Sequence, residues 1–447
     1  MDSMKSGRLT QPLNENCREV AAESETSQLA VSVIIPACNA ERDIVRCVRA
    51  IQASRGITPE IVLVDDASTD STVSFATESG VSVVLRSERC CGPAAARNAG
   101  AIAASGDVLF FVDADVIVHP DALLQGVSYL KRGPWDAVFG SYDAAPCAPG
   151  LSSVYRNLLH HYVHQTSNPE AGTFWSGCGA VRRSKFLQIG GFCTDFQVPS
   201  VEDIEFGMRF CENGFRIRLA NEIRATHTKH WTLWSMVLTD IFRRGIPWTR
   251  LLMARGKLPN DLNICLSQKL SVALTALAEL LAAAHLPFYP EISLMLLFVI
   301  LVVLGTDVLA ARNHRCAVPL CALLLAAVVL LAGVEYHVFS MSVGTPLGLL
   351  FLLNHRMIRF FIRARGVAFA VCCLPLLLLY YTCCGISFVA GWGQNLWYRK
   401  CLTAKATVAP GHPPSLPGVY HVEFRLHERQ PGTPVRGPET HSRGHQR

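Results

Sequence analysis

Gly106-Asp-Val-Leu-Phe-Phe-Val-Asp-Ala-Asp115 carries an unbroken apolar run, Val108 to Val112, that ends on two carboxylates set two residues apart. Four of those five apolar residues are β-branched or aromatic, so the run reads as a strand buried on both faces. In a parallel α/β sheet, ligands gather at the C-terminal ends of the strands, which is where Asp113 and Asp115 stand. Working back along the chain, 92–104 reads as a helix, 81–85 as a strand, 67–78 as a turn and helix, and Glu60-Ile-Val-Leu-Val64 as another buried strand. Ile44, Val45, Val48 and Ile51 fall at helical spacing, and Val31-Ser-Val-Ile-Ile35 is a strand stopped by Pro36. Alternating strands and helices in units of about 25–30 residues predict an α/β fold with a mostly parallel sheet. Downstream, strands are expected near 137–142 and 179–181, and helices near 184–189 and 204–213.

The chain has 447 residues, 50% of them apolar and only 17% charged, and the apolar excess is concentrated in the second half. That asymmetry predicts a soluble domain followed by a membrane region. Candidate spans are 270–286, 292–311, 317–334 and 367–389, with 338–353 a shorter fifth. Arg312 and Arg315, and then Arg356, Arg359, Arg363 and Arg365, flank these spans; both clusters face the cytoplasm only if 338–353 also crosses, which favours five spans with the C-terminus outside. A re-entrant 338–353 is the alternative. Between about 230 and 257, Trp231, Trp234 and Trp248 interleave with Arg243, Arg244, Arg250 and Arg255, a composition suited to helices in the headgroup layer.

The expected division is a flexible leader over 1–29, a nucleotide-binding domain over 30–228, interfacial amphipathic helices over 229–266, four or five transmembrane helices over 267–392, and a disordered tail over 393–447. The leader has no apolar stretch after its basic residues, so no cleavable secretory signal is expected and the domain should face the cytoplasm of a multi-pass membrane protein. The net charge of +6 forms no stripe, so nucleic acid is not an expected partner. The 17 Cys include no paired CxxC and no Cys/His ligand spacing, which points to reduced, partly buried thiols.

Three acidic pairs stand out. Asp113 and Asp115, alternating in an extended segment, are expected to reach one site and to share Mg2+ or Mn2+ with a diphosphate, although a lone DxD triplet is more often a solvated turn. Asp65-Asp66 closes Ile-Val-Leu-Val; two adjacent carboxylates need partners, either a base or ribose, or simply local caps and turns. Glu202-Asp203 opens the helix at 204–213, where the helix dipole favours acids, and Asp203 is also placed to act as a general base.

The ordered set Val31-Ser-Val-Ile-Ile-Pro-Ala-Cys-Asn39, Val64-Asp-Asp-Ala-Ser-Thr-Asp70, Gly92-Pro-Ala-Ala-Ala-Arg-Asn-Ala-Gly100, Asp113-Ala-Asp115, Gly190-Gly-Phe192 and Glu202-Asp203 resembles the family 2 glycosyltransferases of the GT-A fold. The resemblance runs over roughly residues 30–227. It implies a metal-dependent, inverting transferase with a nucleotide-diphosphate sugar donor. Pro36, Asn39, Asp65, Asp66, Arg97 and Asp113 would bind the nucleotide sugar, Asp115 and Asp113 the metal with His227 or His230 completing the site, and Asp203 would be the catalytic base. Gly177-Cys178-Gly179 with Arg182-Arg183 matches the segment that lines the sugar and acceptor pocket. Processive members carry Gln-x-x-Arg-Trp on the interfacial helix, whereas this chain reads Asp240-Ile-Phe-Arg-Arg-Gly-Ile-Pro-Trp248. That departure favours addition of one or a few sugars to a lipid-linked or other membrane acceptor, such as a polyprenyl phosphate or glycolipid, over a processive polysaccharide synthase. A transporter or scaffold with an inactive transferase domain is the reading from another class, to which only Glu279 inside the first span lends weight.

Overall fold

The computed structural model describes residues 29–256, 262–285, 287–288, 291–312, 316–335, 337–406 and 424–429. The leader expected up to residue 29 lies almost wholly outside them. β1 (Val31–Ala37), β2 (Glu60–Asp65), β3 (Val83–Ser87) and β4 (Val108–Val112) form a parallel block in the order β3-β2-β1-β4, joined by α1 (Ile44–Gln52), α2 (Thr72–Glu78) and α3 (Pro93–Ala103). Their central residues, among them Ile34, Val62, Leu63, Phe110 and Phe111, are fully buried, and apolar clusters cover both faces of the sheet. Each such side chain stabilises the fold by about 1.5–3 kcal/mol relative to leaving it in water, which is why the apolar runs read so clearly as strands. α3 lies close on β1 and β2: a Cβ at Gly100 would stand 2.5 Å from Ile34 Cγ2.

Beyond β4 the sheet becomes mixed. β6 (Ala137–Tyr142), α6 (Arg183–Gln188) and α7 (Glu202–Glu212) lie where a strand and helices read from the sequence, whereas α4 (Ala122–Arg132) falls where no element was expected. β8 (Cys178–Arg182) pairs antiparallel with both β4 and β6, and β9 (Ile217–His227) runs parallel to β6. Short β5 (Val116–Val118) and β7 (Glu170–Ala171) pair antiparallel with β9. Two elements had no clear signal. β9 reads Ile-Arg-Leu-Ala-Asn-Glu-Ile-Arg-Ala-Thr-His, too charged for a buried strand, and α5 (Leu151–Thr166) carries three His among polar residues.

The helical region begins with α8 (Leu233–Leu238), a π-helical turn (Thr239–Gly245) and α9 (Ile246–Arg255). α10 (Leu266–His285), α11 (Glu291–Ala311), α12 (Ala317–Glu335) and α13 (His337–Leu353) cover the first three candidate spans and the shorter 338–353. α14 (His355–Arg365) holds the second basic cluster, and α15 (Val367–Ala406) continues well past the expected end of the last span. Two stretches, Leu266–His285 and Val367–Leu396, are long and apolar enough to cross a membrane by length and composition. Glu279, the acid inside the first span, accepts a hydrogen bond from the Thr382 hydroxyl of α15.

The two regions share a core. Leu151, Tyr155, Leu158 and Leu159 of α5 pack with Phe361 of α14 and with Phe369, Cys373, Leu377 and Tyr381 of α15. Arg156 of α5 and Asp240 of the π-turn form a buried two-bonded ion pair at 2.9 and 2.6 Å. The last described segment, β10 (Phe424–Arg429), pairs antiparallel with β3 at the open sheet edge. Within the expected tail, then, 393–406 continues α15 and 424–429 is an edge strand; the remainder lies outside the described residues.

Candidate functional site

At the C-terminal end of β4 a cavity of about 190 Å³ opens between the α7 N-terminus, the end of β9 and the segment leading through the π-turn. Arg97, Asp113, Asp115, Glu202, Asp203 and His227 line one side of it. Five of these six were singled out as site residues from sequence, and they come from four separate segments of the chain.

Asp113 and Asp115 do not alternate along an extended strand as expected. β4 ends at Val112, and the two acids sit in a tight turn closed by the Val116 amide on the Asp113 carbonyl at 3.0 Å. The turn gives them different partners. Asp113 Oδ1 accepts from Arg97 at 2.7 Å, while Asp115 Oδ2 lies 3.6 Å from His227 Nε2. Burial works against the Asp115 carboxylate, but the His227 hydrogen bond and the charges of His227 and Lys229 outweigh it and hold its pKa below the ordinary value. His227 is fixed in place by stacking on Tyr142, with ring centroids 4.4 Å apart and an interplanar angle of 13°.

Among the described residues, no three His, Cys, Asp or Glu side chains converge as a complete metal cage. The Asp115–His227 pair nonetheless fits a metal that takes most of its ligands from substrate phosphates and water, as Mg2+ and Mn2+ do. Asp113, engaged through one oxygen by Arg97, has its other oxygen uncommitted to that bond. His230 is exposed and does not line the cavity.

Arg97 is the hub. Its side chain is 5% exposed and bonds Asp113 at 2.7 Å and Glu202 at 2.9 Å. Asn98, next to it, exchanges two hydrogen bonds with the Phe192 backbone, both 2.8 Å, and the Arg97 guanidinium lies 5.6 Å from the centre of the Phe192 ring. A Cβ at Gly191, whose φ is +71°, would meet Asn98 Oδ1 at 2.4 Å, so only glycine lets this loop close on α3. Removing the guanidinium by Arg97→Met should leave buried Glu202 and half-buried Asp113 without their shared cation and cost about 3–5 kcal/mol of stability, read as a lowered midpoint in thermal unfolding; an unchanged midpoint would refute the hub.

Asp203 begins α7 beside Glu202. Its Oδ2 accepts from the Ser176 amide at 3.2 Å and its Oδ1 from the Ile204 amide at 2.8 Å. Burial and then the Glu202 charge raise its pKa to about 6, against the lowering effect of Arg97, the Ser176 bond and Arg244. The sign follows from linkage: a raised acid favours the fold most when protonated, and that contribution is lost as pH rises through about 6. A base must be ionised, so kcat/KM should fall tenfold per pH unit below about 6. In Arg97→Met, where a lowering charge is gone, that limb should move to higher pH; a pH-rate profile on the purified protein tests both.

The remaining sequence candidates sit away from this cavity, at the ends of β1 and β2. Asn39, with φ of +53°, accepts from the Thr69 amide at 2.9 Å, and its own amide donates to Ser68 Oγ at 2.9 Å. Asp65 is fully buried, accepting from the Ser68 amide and pairing with Arg86 at 3.2 Å. Asp66 accepts from the Cys91 and Gly92 amides at 2.7 and 2.8 Å. Pro36 lies within β1 opposite Val64. These side chains lock the strand-end loops to one another and to the start of α3, the local-partner alternative for the Asp65-Asp66 pair. The Gly177–Arg183 segment differs from expectation too. Gly177 and Gly179 back onto Trp175 and Phe174, and Arg182 and Arg183 turn to the carbonyls of Leu130, Ala101 and Ile102; Trp175 and Ser176, just before the segment, line the cavity.

The cavity is also lined by residues that sequence reasoning did not assign to it: Tyr142, Arg156, Asn157, His160, Lys229, Trp231, Thr239, Arg243 and Arg244. Their signal was the unusual His content of α5 and the Trp/Arg mixture after residue 230, which read as a membrane-facing surface.

Residues 32–190 match the family model described as Glycosyl transferase family 2. An uncharacterized glycosyltransferase of Haemophilus influenzae is 26% identical over 216 residues, 47% of this chain and 71% of that protein. Glycosyltransferase AglE of Haloferax volcanii is 33% identical over 203 residues, 44% of this chain and 66% of its own length. Four further relatives match over only 19–38% of their lengths. Among solved structures, the mannosyltransferase PcManGT of Pyrobaculum calidifontis, in complex with GDP-Man and Mn2+, aligns over 84% of this chain and 89% of its own at 17% identity and a TM-score of 0.41.

Proposed function

Given that residues 32–190 make the chain a member of glycosyl transferase family 2, we propose that it is a membrane-bound, inverting glycosyltransferase. It transfers a sugar from a nucleotide-diphosphate donor to an acceptor held at the membrane, such as a polyprenyl phosphate or glycolipid. The observation that carries this reading is that Asp115, His227 and Asp203 share one cavity with the segment 229–244, which itself packs on apolar α15: a Cβ at Gly245 would stand 2.2 Å from Ser387 Oγ. That proximity supports a site beside the apolar helical region.

Asp115 and His227, with Asp113, would hold Mg2+ or Mn2+, which neutralises the departing diphosphate. Arg97 holds Asp113 and Glu202 in place, and Arg243 and Arg244 have no carboxylate within ion-pair distance among the described residues, leaving them available to anionic groups. With a hydroxyl acceptor, Asp203 takes the proton as the acceptor oxygen bonds to the anomeric carbon; the bond to the diphosphate oxygen breaks and the nucleotide diphosphate leaves with its electron pair. Attack opposite the leaving group inverts the anomeric centre. Purified protein incubated with a panel of nucleotide sugars, membrane lipid extract and Mn2+ should yield a glycosylated lipid by mass spectrometry. Failure to turn over any donor would refute the enzyme reading and favour an inactive transferase domain.

Trp248 does not line the cavity, in keeping with the missing processive motif, so the expected product carries one added sugar or few. A long polymer would overturn that. For topology, β10 pairs with β3 of the soluble domain. That pairing favours a C-terminus on the domain's side, and with it an even number of crossings, over the five spans expected from charge alone. A C-terminal tag shielded from impermeant reagents in intact cells supports this; a tag labelled from outside restores five spans.

A further inference from the structure

α14, His355-Arg-Met-Ile-Arg-Phe-Phe-Ile-Arg-Ala-Arg365, joins apolar α13 to apolar α15 and carries Arg356, Arg359, Arg363 and Arg365 with no acid to balance them. No Asp or Glu occurs anywhere in 336–422. Arg356, Arg359 and Arg363 recur at steps of three and four, which puts them within about 60° of one another round the helix. All three are exposed, and none of the ion pairs among the described residues engages them. Arg365 falls outside this stripe and donates to the Ala144 carbonyl at 3.4 Å.

The rest of the protein fixes which way this stripe faces. Met357 and Phe361, four apart on the other side of α14, are buried, and Phe361 packs edge-on against Tyr155 of α5 and Phe369 of α15 with ring centroids 5.9 and 6.1 Å away. Phe360 stacks on His161 of α5 at 5.7 Å. With its apolar side held in this way, α14 presents its arginines outward. Around them, Leu349 and Leu352 of α13, Ile362 of α14 and Val367 at the start of α15 are large apolar side chains left exposed. Unbalanced cations beside exposed apolar groups match the boundary of a bilayer, where headgroup phosphates and acyl chains lie side by side. An acidic protein or a nucleic acid would answer the charges but leave the apolar side chains in water. Only Gly366 separates α14 from Val367–Leu396, which is long and apolar enough to cross a membrane.

Resting on the membrane part of the proposed function, we infer that the Arg356, Arg359 and Arg363 face of α14 is a docking surface for anionic phospholipid headgroups. The headgroups are those of the bilayer that holds the apolar helices, and they are distinct from the acceptor, because none of the three arginines lines the cavity. Each basic residue at an anionic surface contributes roughly fivefold to binding, so three acting together are expected to give about a hundredfold preference for an anionic lipid over a zwitterionic one.

The test supplies the purified full-length protein, in detergent micelles, with equal amounts of phosphatidylglycerol and phosphatidylcholine and counts the retained lipids by native mass spectrometry. Phosphatidylglycerol should be retained over phosphatidylcholine by about tenfold or more at about 0.05 M salt, with the ratio falling steeply at about 0.5 M as the charges are screened. The triple variant Arg356→Gln, Arg359→Gln, Arg363→Gln should lose most of that preference. Removing three equally exposed arginines of the soluble domain, by Arg42→Gln, Arg49→Gln and Arg132→Gln, should leave it unchanged. Equal retention of the two lipids by the wild type, or an undiminished preference in the α14 variant, overturns the docking surface. Displacement of phosphatidylglycerol by the same concentration of free glycerol phosphate also overturns it, by reducing the face to a site for any small anion. A chain that stays dispersed in buffer with neither detergent nor lipid instead overturns the membrane reading on which the inference rests.

Discussion

Asp203→Asn should lower transfer to a hydroxyl acceptor by about 10²–10⁴-fold while donor binding stays within a factor of two or so. Asn has nearly the shape of Asp, and its side-chain oxygen can still accept from the Ser176 or Ile204 amide, so the local fold has reason to survive. What disappears is an acceptor for the proton. The wild-type carboxyl, raised to about 6 by burial and by Glu202, is ionised at neutral pH yet basic enough to take a proton in the transition state, which an ordinary carboxylate does less well. Single-turnover kinetics with saturating acceptor would read the loss directly. Near-normal rates would remove Asp203 from the chemistry; a parallel collapse in donor affinity would make it a structural acid at the start of α7.

Asp115→Ala should cut donor turnover by roughly a thousandfold, since stabilising a leaving diphosphate through a metal is worth several kcal/mol. Excess Mn2+ should not restore it, because the variant lacks a ligand instead of merely binding metal weakly. His227→Ala, which leaves Asp115 in place, should be partly rescued by excess Mn2+. Isothermal titration of Mn2+ in the presence of nucleotide diphosphate distinguishes the two variants without relying on turnover. Unimpaired Mn2+ binding by Asp115→Ala would move the metal away from the Asp115–His227 pair.

The acids and the rims of the strands were legible in the sequence, but their partners were not. The apolar run Val108–Val112 revealed a buried strand because every one of its side chains is enclosed on one face or the other. By contrast Asp113 and Asp115 looked equivalent, and it is a turn that sends one to Arg97 and the other to His227. Asp65 and Asp66 left open a nucleoside contact or local caps and turns, and the partners that hold them, backbone amides and Arg86, could not be read from the sequence. α5 and β9 were missed for a related reason. Their polar residues face the cavity or pair across elements, and such satisfaction is invisible to a pattern that counts apolar periodicity.

From the order of its motifs and the run of its apolar residues, the chain determines a strand-and-helix domain, the acids at its ligand edge and an apolar helical region behind it, because burial and periodicity are local properties. Tertiary structure alone decides which acid meets Arg97 and which meets His227, that α5 supplies Asn157 to the cavity wall, and that α5 and α15 share a core. Those outcomes depend on contacts between elements distant in the chain order, and the energies that select them, the desolvation of a charge and the pairing of a buried polar atom, exist only once the chain has closed around them.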